Sequence, residues 1–354
     1  MQIISINQNF DYAVVIGRFQ PLHLGHWSLI CTAHAKAKTV IVLIGSAGRA
    51  RSSLNPFTYD ERVHMIRAAL HEHDQHTGTA WTKHTHFAGI PDIFYDEARW
   101  CEEVIDAVHN IAGTAQRICL LGHSKDASSY YLKEFPDWLY LECSNYQGLS
   151  ATPLREQYLL TGSIASDLLP HASQQFLQQF QATPAFAALQ HELRFITRYQ
   201  ESWRSAPYPP IFVTTDSVVI CERQILLIER KYPPGQGLLA LPGGFVEANE
   251  WIQEGLLREL KEETEITVSS EVLISALQRI QVFDYPKRSQ IGRVITHAGL
   301  FQLQELTLPE VKGSDDAGRA FWLALEEFWQ LSDQLHDDHF QIVSYFKHQG
   351  LLDV

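Results

Sequence analysis

The chain is 354 residues long, 45% hydrophobic and 19% charged, the composition of a folded globular protein with length for two buried cores and not of a disordered one. Its 28 Lys and Arg against 41 Asp and Glu give a net charge of −13, which argues against broad electrostatic adhesion to nucleic acid or anionic membrane. The acid is unevenly placed: residues 1–205 carry 16 basic and 19 acidic side chains, residues 206–354 carry 12 and 22.

In chain order, residues 12–16 read as a buried strand, 26–38 as a helix and 39–44 as the next strand, the alternation of a parallel sheet covered on both faces. Strands at 117–121 and 138–141 continue it. An amphipathic helix over 183–203 runs into Ser205-Ala-Pro-Tyr-Pro-Pro210, where three prolines cannot prolong it. The expected division is therefore a first domain at 1–182, a helix and proline-rich linker at 183–210 and a second domain at 211–354. Strands are expected there at 211–215, 217–221 and 224–228, then a Gly/Pro loop, one long charged helix, a strand at 292–301 and a closing helix, with no repeat in either half. No basic residue precedes Arg18, and no apolar run reaches the roughly 18 residues of a membrane span. Cys31, Cys101, Cys119, Cys143 and Cys221 form no C-x-x-C pair, so neither a disulfide framework nor a zinc knuckle is expected. A soluble, cytoplasmic protein is the expectation.

The first strand ends in Gly17-Arg-Phe-Gln-Pro-Leu-His-Leu-Gly-His26. Glycine at a strand end lets backbone approach a phosphate, and a following helix offers unpaired N–H groups and a positive dipole end. His23 and His26 are three apart, so in a first helical turn both imidazoles face one side. Such donors stabilise charge on an attacked α-phosphorus and on leaving pyrophosphate, and no covalent nucleophile is needed. An isolated H-x-x-H is ordinarily a turn with two histidines; the strand before it and the helix after it give this one weight.

That string resembles the G-x-F-x-P-x-H-x-G-H signature of the nucleotidyltransferase superfamily that contains the class I aminoacyl-tRNA synthetases. Leu149-Ser-Ala-Thr-Pro-Leu-Arg155 is similar to its partner motif I-S-x-T-x-x-R, and the K-M-S-K-S loop of the synthetases is absent. Ile44-Gly-Ser-Ala47 with Asn55-Pro-Phe-Thr-Tyr-Asp-Glu-Arg62, Pro91-Asp-Ile-Phe-Tyr95 with Trp100, and Gly122-His-Ser-Lys-Asp126 resemble the archaeal-type nicotinamide-mononucleotide adenylyltransferases. The resemblance implies a Rossmann-like domain in which His23, His26 and Arg155 are catalytic. It implies Gly17, Phe19, Gln20, Lys125, Ser150 and Thr152 around ATP, and Arg18, Asp92, Tyr95 and Trp100 around the mononucleotide. Read from the residues alone, Ser150 and Thr152 serve equally as helix caps, Trp100 as core, Lys125 as a solvated charge and Arg62 as a structural residue.

A second constellation runs Gly243-Gly-Phe-Val-Glu-Ala-Asn-Glu-Trp-Ile-Gln-Glu-Gly-Leu-Leu-Arg-Glu-Leu-Lys-Glu-Glu-Thr-Glu-Ile266, with seven glutamates. Glu259, Glu262 and Glu263 stand at i, i+3 and i+4, so they converge on one helical face. Carboxylates so placed repel one another unless a hard divalent ion is present, and Mg²⁺ or Mn²⁺ suits such an oxygen set. The string resembles the Nudix signature G-x5-E-x7-R-E-U-x-E-E-x-G-U, matched from Gly244 through Glu250, Arg258, Glu259, Leu260, Glu262, Glu263 and Ile266.

The Nudix resemblance implies an α/β/α domain with a mixed sheet, Gly244, Glu259, Glu262 and Glu263 as metal ligands, the three glutamates as catalytic groups, and Arg258 as their orienting partner. Glu265 stands where the signature has glycine, which puts the turn after the helix in question. The stretch 281–296 resembles that of ADP-ribose-type members fused to the same adenylyltransferase, and so implies Arg288 and Arg293 at the substrate; a solvated loop explains both arginines equally. Ser314-Asp-Asp-Ala317 is similar too, or is a helix-capping turn.

The expectation is an α/β enzyme with two activities: transfer of AMP from ATP to nicotinamide mononucleotide, giving NAD and pyrophosphate, and metal-dependent hydrolysis of ADP-ribose or a related nucleoside diphosphate to AMP and a sugar phosphate. ATP, nicotinamide mononucleotide and ADP-ribose are its expected partners, with no nucleic acid and no membrane. Glu265 motivates an alternative in which the second half senses a ligand without hydrolysing it. A NAD-linked transcriptional regulator is disfavoured, because no basic recognition helix follows the second constellation.

Overall fold

A computed structural model describes residues 10–113, 117–122, 134–135, 137–144, 146, 148–304 and 307–352. The chain divides into two compact units, residues 1–190 and 191–354.

In the first unit, β1 (Phe10–Gly17), α1 (Leu24–Lys36), β2 (Ala37–Ile44), α2 (Tyr59–Thr77), β3 (Thr85–Gly89), α3 (Glu97–Ala112), β4 (Ile118–Gly122) and β5 (Leu139–Glu142) alternate, with α2, β3 and α3 added to the elements expected. The five strands are parallel, in the order β3-β2-β1-β4-β5. Alternate residues feed separate cores: Ala13, Val15, Val40 and Val42 join one, Val14, Ile41, Leu43 and Leu120 the other. Burial on both faces is why these strands are continuous apolar runs. The chain reverses direction across the sheet between β1 and β4, so the loops at their carboxyl ends border the crevice where open α/β sheets take ligands. Helices α4 (Ala151–Thr161), α5 (His171–Phe180) and α6 (Pro184–Ser202) follow. Among the described residues no helix is long and apolar enough to cross a membrane, and no two of the five cysteines form a disulfide.

The second unit holds β6 (Ile211–Cys221), β7 (Gln224–Arg230), β8 (Leu239–Ala240), β9 (Gly243–Phe245), α7 (Ile252–Thr264), α8 (Ser270–Ala276), β10 (Leu277–Phe283), β11 (Arg293–Leu303), β12 (Ala317–Ala324), α9 (Leu325–Phe328) and α10 (His339–His348). Its mixed sheet runs β10-β11-β6-β7-β12, with β8 on β7 and β9 on β6; β11 and β6 are parallel and the other pairs antiparallel. Two strands expected at 211–215 and 217–221 are one. Asp216 does not interrupt it, because its buried carboxylate accepts from Thr296 Oγ1 at 2.6 Å and faces Arg288 Nη2 at 3.4 Å. The Ser314–Ala317 turn caps no helix: it leads into β12, and Ser314 N donates to Glu263 O at 3.1 Å.

Candidate functional site

The signature loop of the first unit is built backward from α1. His23 is the N-cap, its Nδ1 accepting from His26 N at 3.2 Å, and the two rings stack with centroids 3.7 Å apart. Because Nδ1 accepts, the neutral His23 ring carries its proton on Nε2. The Phe19 ring lies against His26 at 4.7 Å and fills the space a Cβ on Gly17 would enter, 3.0 Å away. That packing requires glycine at 17 and holds Phe19 at φ 51°.

Two buried guanidinium groups tie this loop to its neighbours. Arg62, on α2, donates to the carbonyls of Arg18 (2.9 Å), Gly45 (2.6 Å), Ser46 (3.2 Å) and Thr58 (3.1 Å), which is the structural part expected of it. Arg155, on α4, donates to Ser53 O at 3.0 Å and Gln20 O at 3.2 Å, so the second motif is fastened to the first. Burial, helped by the charge of Arg18, pushes the pKa of each down to about 10. Three cations gathered at the carboxyl end of β1 form a site electrostatically suited to a polyphosphate.

The remaining residues of this site separate by environment. The Gln20 amide is spent on the backbone of Phe57, donating at 2.8 Å and accepting at 3.0 Å; it braces the loop and does not point to a ligand. Ser150 is the N-cap of α4 but makes no capping hydrogen bond, and Thr152 is exposed in the first turn, so capping does not account for either hydroxyl. Asp92, after β3, accepts from Ser46 Oγ at 3.0 Å and stands 3.8 Å from Arg49 Nε. Trp100 packs on the core containing Val14, and Tyr95 sits edge-on to Phe94 at 6.3 Å. Lys125 lies outside the described residues. Arg49 escaped the sequence reading; its signal was proximity to Ile44-Gly-Ser-Ala47.

In the second unit the site is organised by Arg258. Its guanidinium grips Glu250 with two bonds (3.0 and 2.7 Å) and donates to Glu259 (2.9 Å), Glu262 (2.9 Å) and Phe245 O (3.0 Å). This is the orienting part its position in the motif implies. Glu263 is buried and accepts from Gly243 N at 2.9 Å. Burial pushes its pKa up to about 8 against the pull of that N–H, with the Glu259 charge adding to the rise; burial also raises the pKa of Glu259. Glycine at 244 leaves the Glu259 carboxylate in place, since a Cβ there would stand 2.6 Å from it. Among the described residues no three acidic, histidine or cysteine side chains are gathered as a ready-made metal cage; Arg258 is what neutralises Glu259 and Glu262. Glu265 closes α7 at φ 42°, ψ 33°, so the left-handed turn survives the loss of glycine. Lys312 N donates to Thr264 O at 2.8 Å and Lys312 Nζ pairs with Glu265 at 3.2 Å, bracing the turn.

Arg288 corrects the expectation of a solvated loop charge. It is buried, forked on Asp338 at 3.0 and 2.8 Å. Asp216, beside it, also faces His339 Nε2 at 3.6 Å, and His339 Nδ1 accepts from Leu241 N at 2.8 Å. The network thereby anchors the segment leading to Gly243, and nothing in the sequence announced its partners on α10. Arg293 donates to Asp284 O at 2.6 Å and is partly exposed. A cavity of about 300 Å³ lies alongside, reaching Gly243, Gly244, Arg230, Asp316 and Arg288.

A cytidylyltransferase-like family matches residues 14–157 and the NUDIX domain family matches residues 212–346. A nicotinamide/nicotinic acid mononucleotide adenylyltransferase of Acinetobacter baylyi is 39% identical over 186 residues, 52% of this chain and 94% of that protein. An ADP-ribose pyrophosphatase of Methanocaldococcus jannaschii is 35% identical over 133 residues, 37% of this chain and 70% of that one. A crystal structure of a bifunctional NMN adenylyltransferase/ADP ribose pyrophosphatase from Francisella tularensis superposes with a TM-score of 0.91 at 36% identity, covering 96% of this chain and 99% of the other. The same protein complexed with AMP and manganese superposes at 0.90.

Proposed function

Because the chain belongs to the family of bifunctional NMN adenylyltransferase/ADP-ribose pyrophosphatases, we propose that it performs both reactions, one in each unit. The first unit makes NAD and pyrophosphate from ATP and nicotinamide mononucleotide; the second cleaves ADP-ribose to AMP and ribose 5-phosphate. The observation that carries this reading is full-length likeness to a bifunctional protein, together with both signatures standing on the expected elements.

In the first unit the mononucleotide phosphate attacks the α-phosphorus of ATP in line and pyrophosphate leaves. Gly17 makes room for the Phe19 ring that packs on His26, His23 donates from Nε2, and His26 adds a second ring over the N-terminus of α1. Arg18 and the buried Arg155 supply positive charge. Asp92, Tyr95 and Trp100 flank the mononucleotide end.

In the second unit Glu259, Glu262, Glu263 and the Gly244 carbonyl are a fitting donor set for Mg²⁺ or Mn²⁺: hard oxygens, three of them from one helical face, one a buried carboxylate whose ionised form burial disfavours and a bound cation would favour. Such an ion, when bound, supplies charge against the diphosphate and water of lowered pKa. Arg258 fixes the orientation of Glu259 and Glu262, and Gly243 N fixes Glu263. Retention of the turn at Glu265 removes the motive for a sensing module.

The test is an assay of the whole protein. Pyrophosphate should appear from ATP plus nicotinamide mononucleotide, and AMP from ADP-ribose in Mg²⁺ or Mn²⁺. Absence of hydrolysis with any nucleoside diphosphate in either ion would leave sensing as the second unit's role.

A further inference from the structure

The half of α6 that belongs to the second unit does more than join domains. Glu192, Phe195, Tyr199 and Trp203 recur at i, i+3, i+7 and i+11 and so form one stripe. Glu192 accepts from Gly235 N at 3.1 Å, which fixes the stripe against the loop after β7. Tyr199 packs on Phe212 at 5.9 Å, Phe212 meets Phe245 at 5.7 Å, and Trp203 meets Phe212 at 5.3 Å. Phe195 and Tyr199 then line the same 300 Å³ cavity as Gly244 and Arg230, with Tyr232 and Phe245 completing its aromatic surface.

The cavity is lined by two chemically different kinds of group. Gly243 and Gly244, beside the carboxylates of α7, together with Arg230 form the part where a diphosphate is cut. The aromatic side chains offer flat, sequence-tolerant surface for a π-face, as in single-stranded nucleic acid sites. We propose that Phe195 and Tyr199, on the helix that the sequence marks as linker, form the wall that takes the nucleobase of the diphosphate substrate, and so set the enzyme's preference for a nucleoside diphosphate over a diphosphate without a base. This rests on the hydrolase reading of the second unit.

The products separate the two, since AMP carries the base and ribose 5-phosphate does not. In the full-length protein, Tyr199→Ala should raise KM for ADP-ribose and the AMP inhibition constant about tenfold, the scale of one lost base–aromatic stack, while inhibition by ribose 5-phosphate keeps its wild-type constant. Phe195→Ala should act in the same direction, and Tyr199→Phe, which keeps the ring, should restore AMP inhibition. Weakened inhibition by ribose 5-phosphate with AMP unaffected would assign the wall to the other sugar and overturn the proposal, as would equal loss for both. If the wild-type protein hydrolyses no nucleoside diphosphate, the hydrolase reading falls. Calorimetric titration of wild type and Tyr199→Ala with AMP then decides the wall separately: a lost or weakened binding event supports it, and identical isotherms refute it.

Discussion

The two units solve opposite electrostatic problems with the same kind of side chain. In the first, buried arginines turn inward: Arg62 and Arg155 spend their donors on backbone carbonyls of the loops at 18–20, 45–46 and 53–58, and their charge makes the neighbourhood receptive to phosphate. In the second, Arg258 is wrapped by Glu250, Glu259 and Glu262, and the carboxyl left outside that wrap is the buried Glu263, whose ionised form burial disfavours. One site is prepared for an anion and the other for a cation. Independence of the two is the sharpest consequence, and substitutions can break it.

The largest effects are expected at the chemistry. His26→Ala should lower pyrophosphate formation by about a hundredfold or more and leave AMP release from ADP-ribose intact. Glu263→Gln should do the reverse, with a loss of about 10² to 10⁴ in hydrolysis. Paired loss of both activities in either variant would show that the sites are coupled. Gly244→Ala comes next: its methyl must displace the Glu259 carboxylate, and hydrolysis should fall by about a hundredfold, the penalty of a misplacement near 1 Å. Unchanged kinetics there would remove Glu259 from the working set.

Acid should distinguish the units through His34. Its ring is buried, stacked on Trp81 at 4.4 Å and hydrogen-bonded with Thr85 Oγ1 at 3.0 Å, and burial pushes its pKa down from 6.5 to about 4. Between those values the folded state binds fewer protons than the unfolded chain, so stability falls as pH drops from 6.5 to about 4, by roughly 3 kcal/mol in all. Denaturant unfolding should show that loss, and His34→Phe should flatten it. The smallest effect is expected at the turn after α7. Glu265→Gly removes left-handed strain and an exposed pair with Lys312, so it should stabilise the second unit by about 1 kcal/mol, read as a small rise in its melting temperature.

Both motifs were visible in the sequence because each is local. The convergence of Glu259, Glu262 and Glu263 follows from helical period, and the stacking of His23 on His26 follows from their spacing at a helix start. The parallel sheet was equally plain, since strands buried on both faces must be continuously apolar. Short elements escaped: β8, β9 and α9 have two to four residues, too few for any period to register.

What only the tertiary structure decided is where long side chains end. Arg288 looked like a ligand contact or a solvated charge, and its fork on Asp338, fifty positions away at the N-cap of α10, depends on α10 packing against Phe283 of β10. Gln20 looked like part of the phosphate cradle, and Phe57 claims its amide. Residues 211–221 looked like two strands until Asp216 found buried partners. Phe195 and Tyr199 looked like linker, because an amphipathic stripe declares that it will be covered without declaring what covers it. The sequence by itself determined which local groups stand together in each motif. Their partners across the fold were settled only when burial forced each polar group to find one, since an unpaired polar group costs too much to leave in a core.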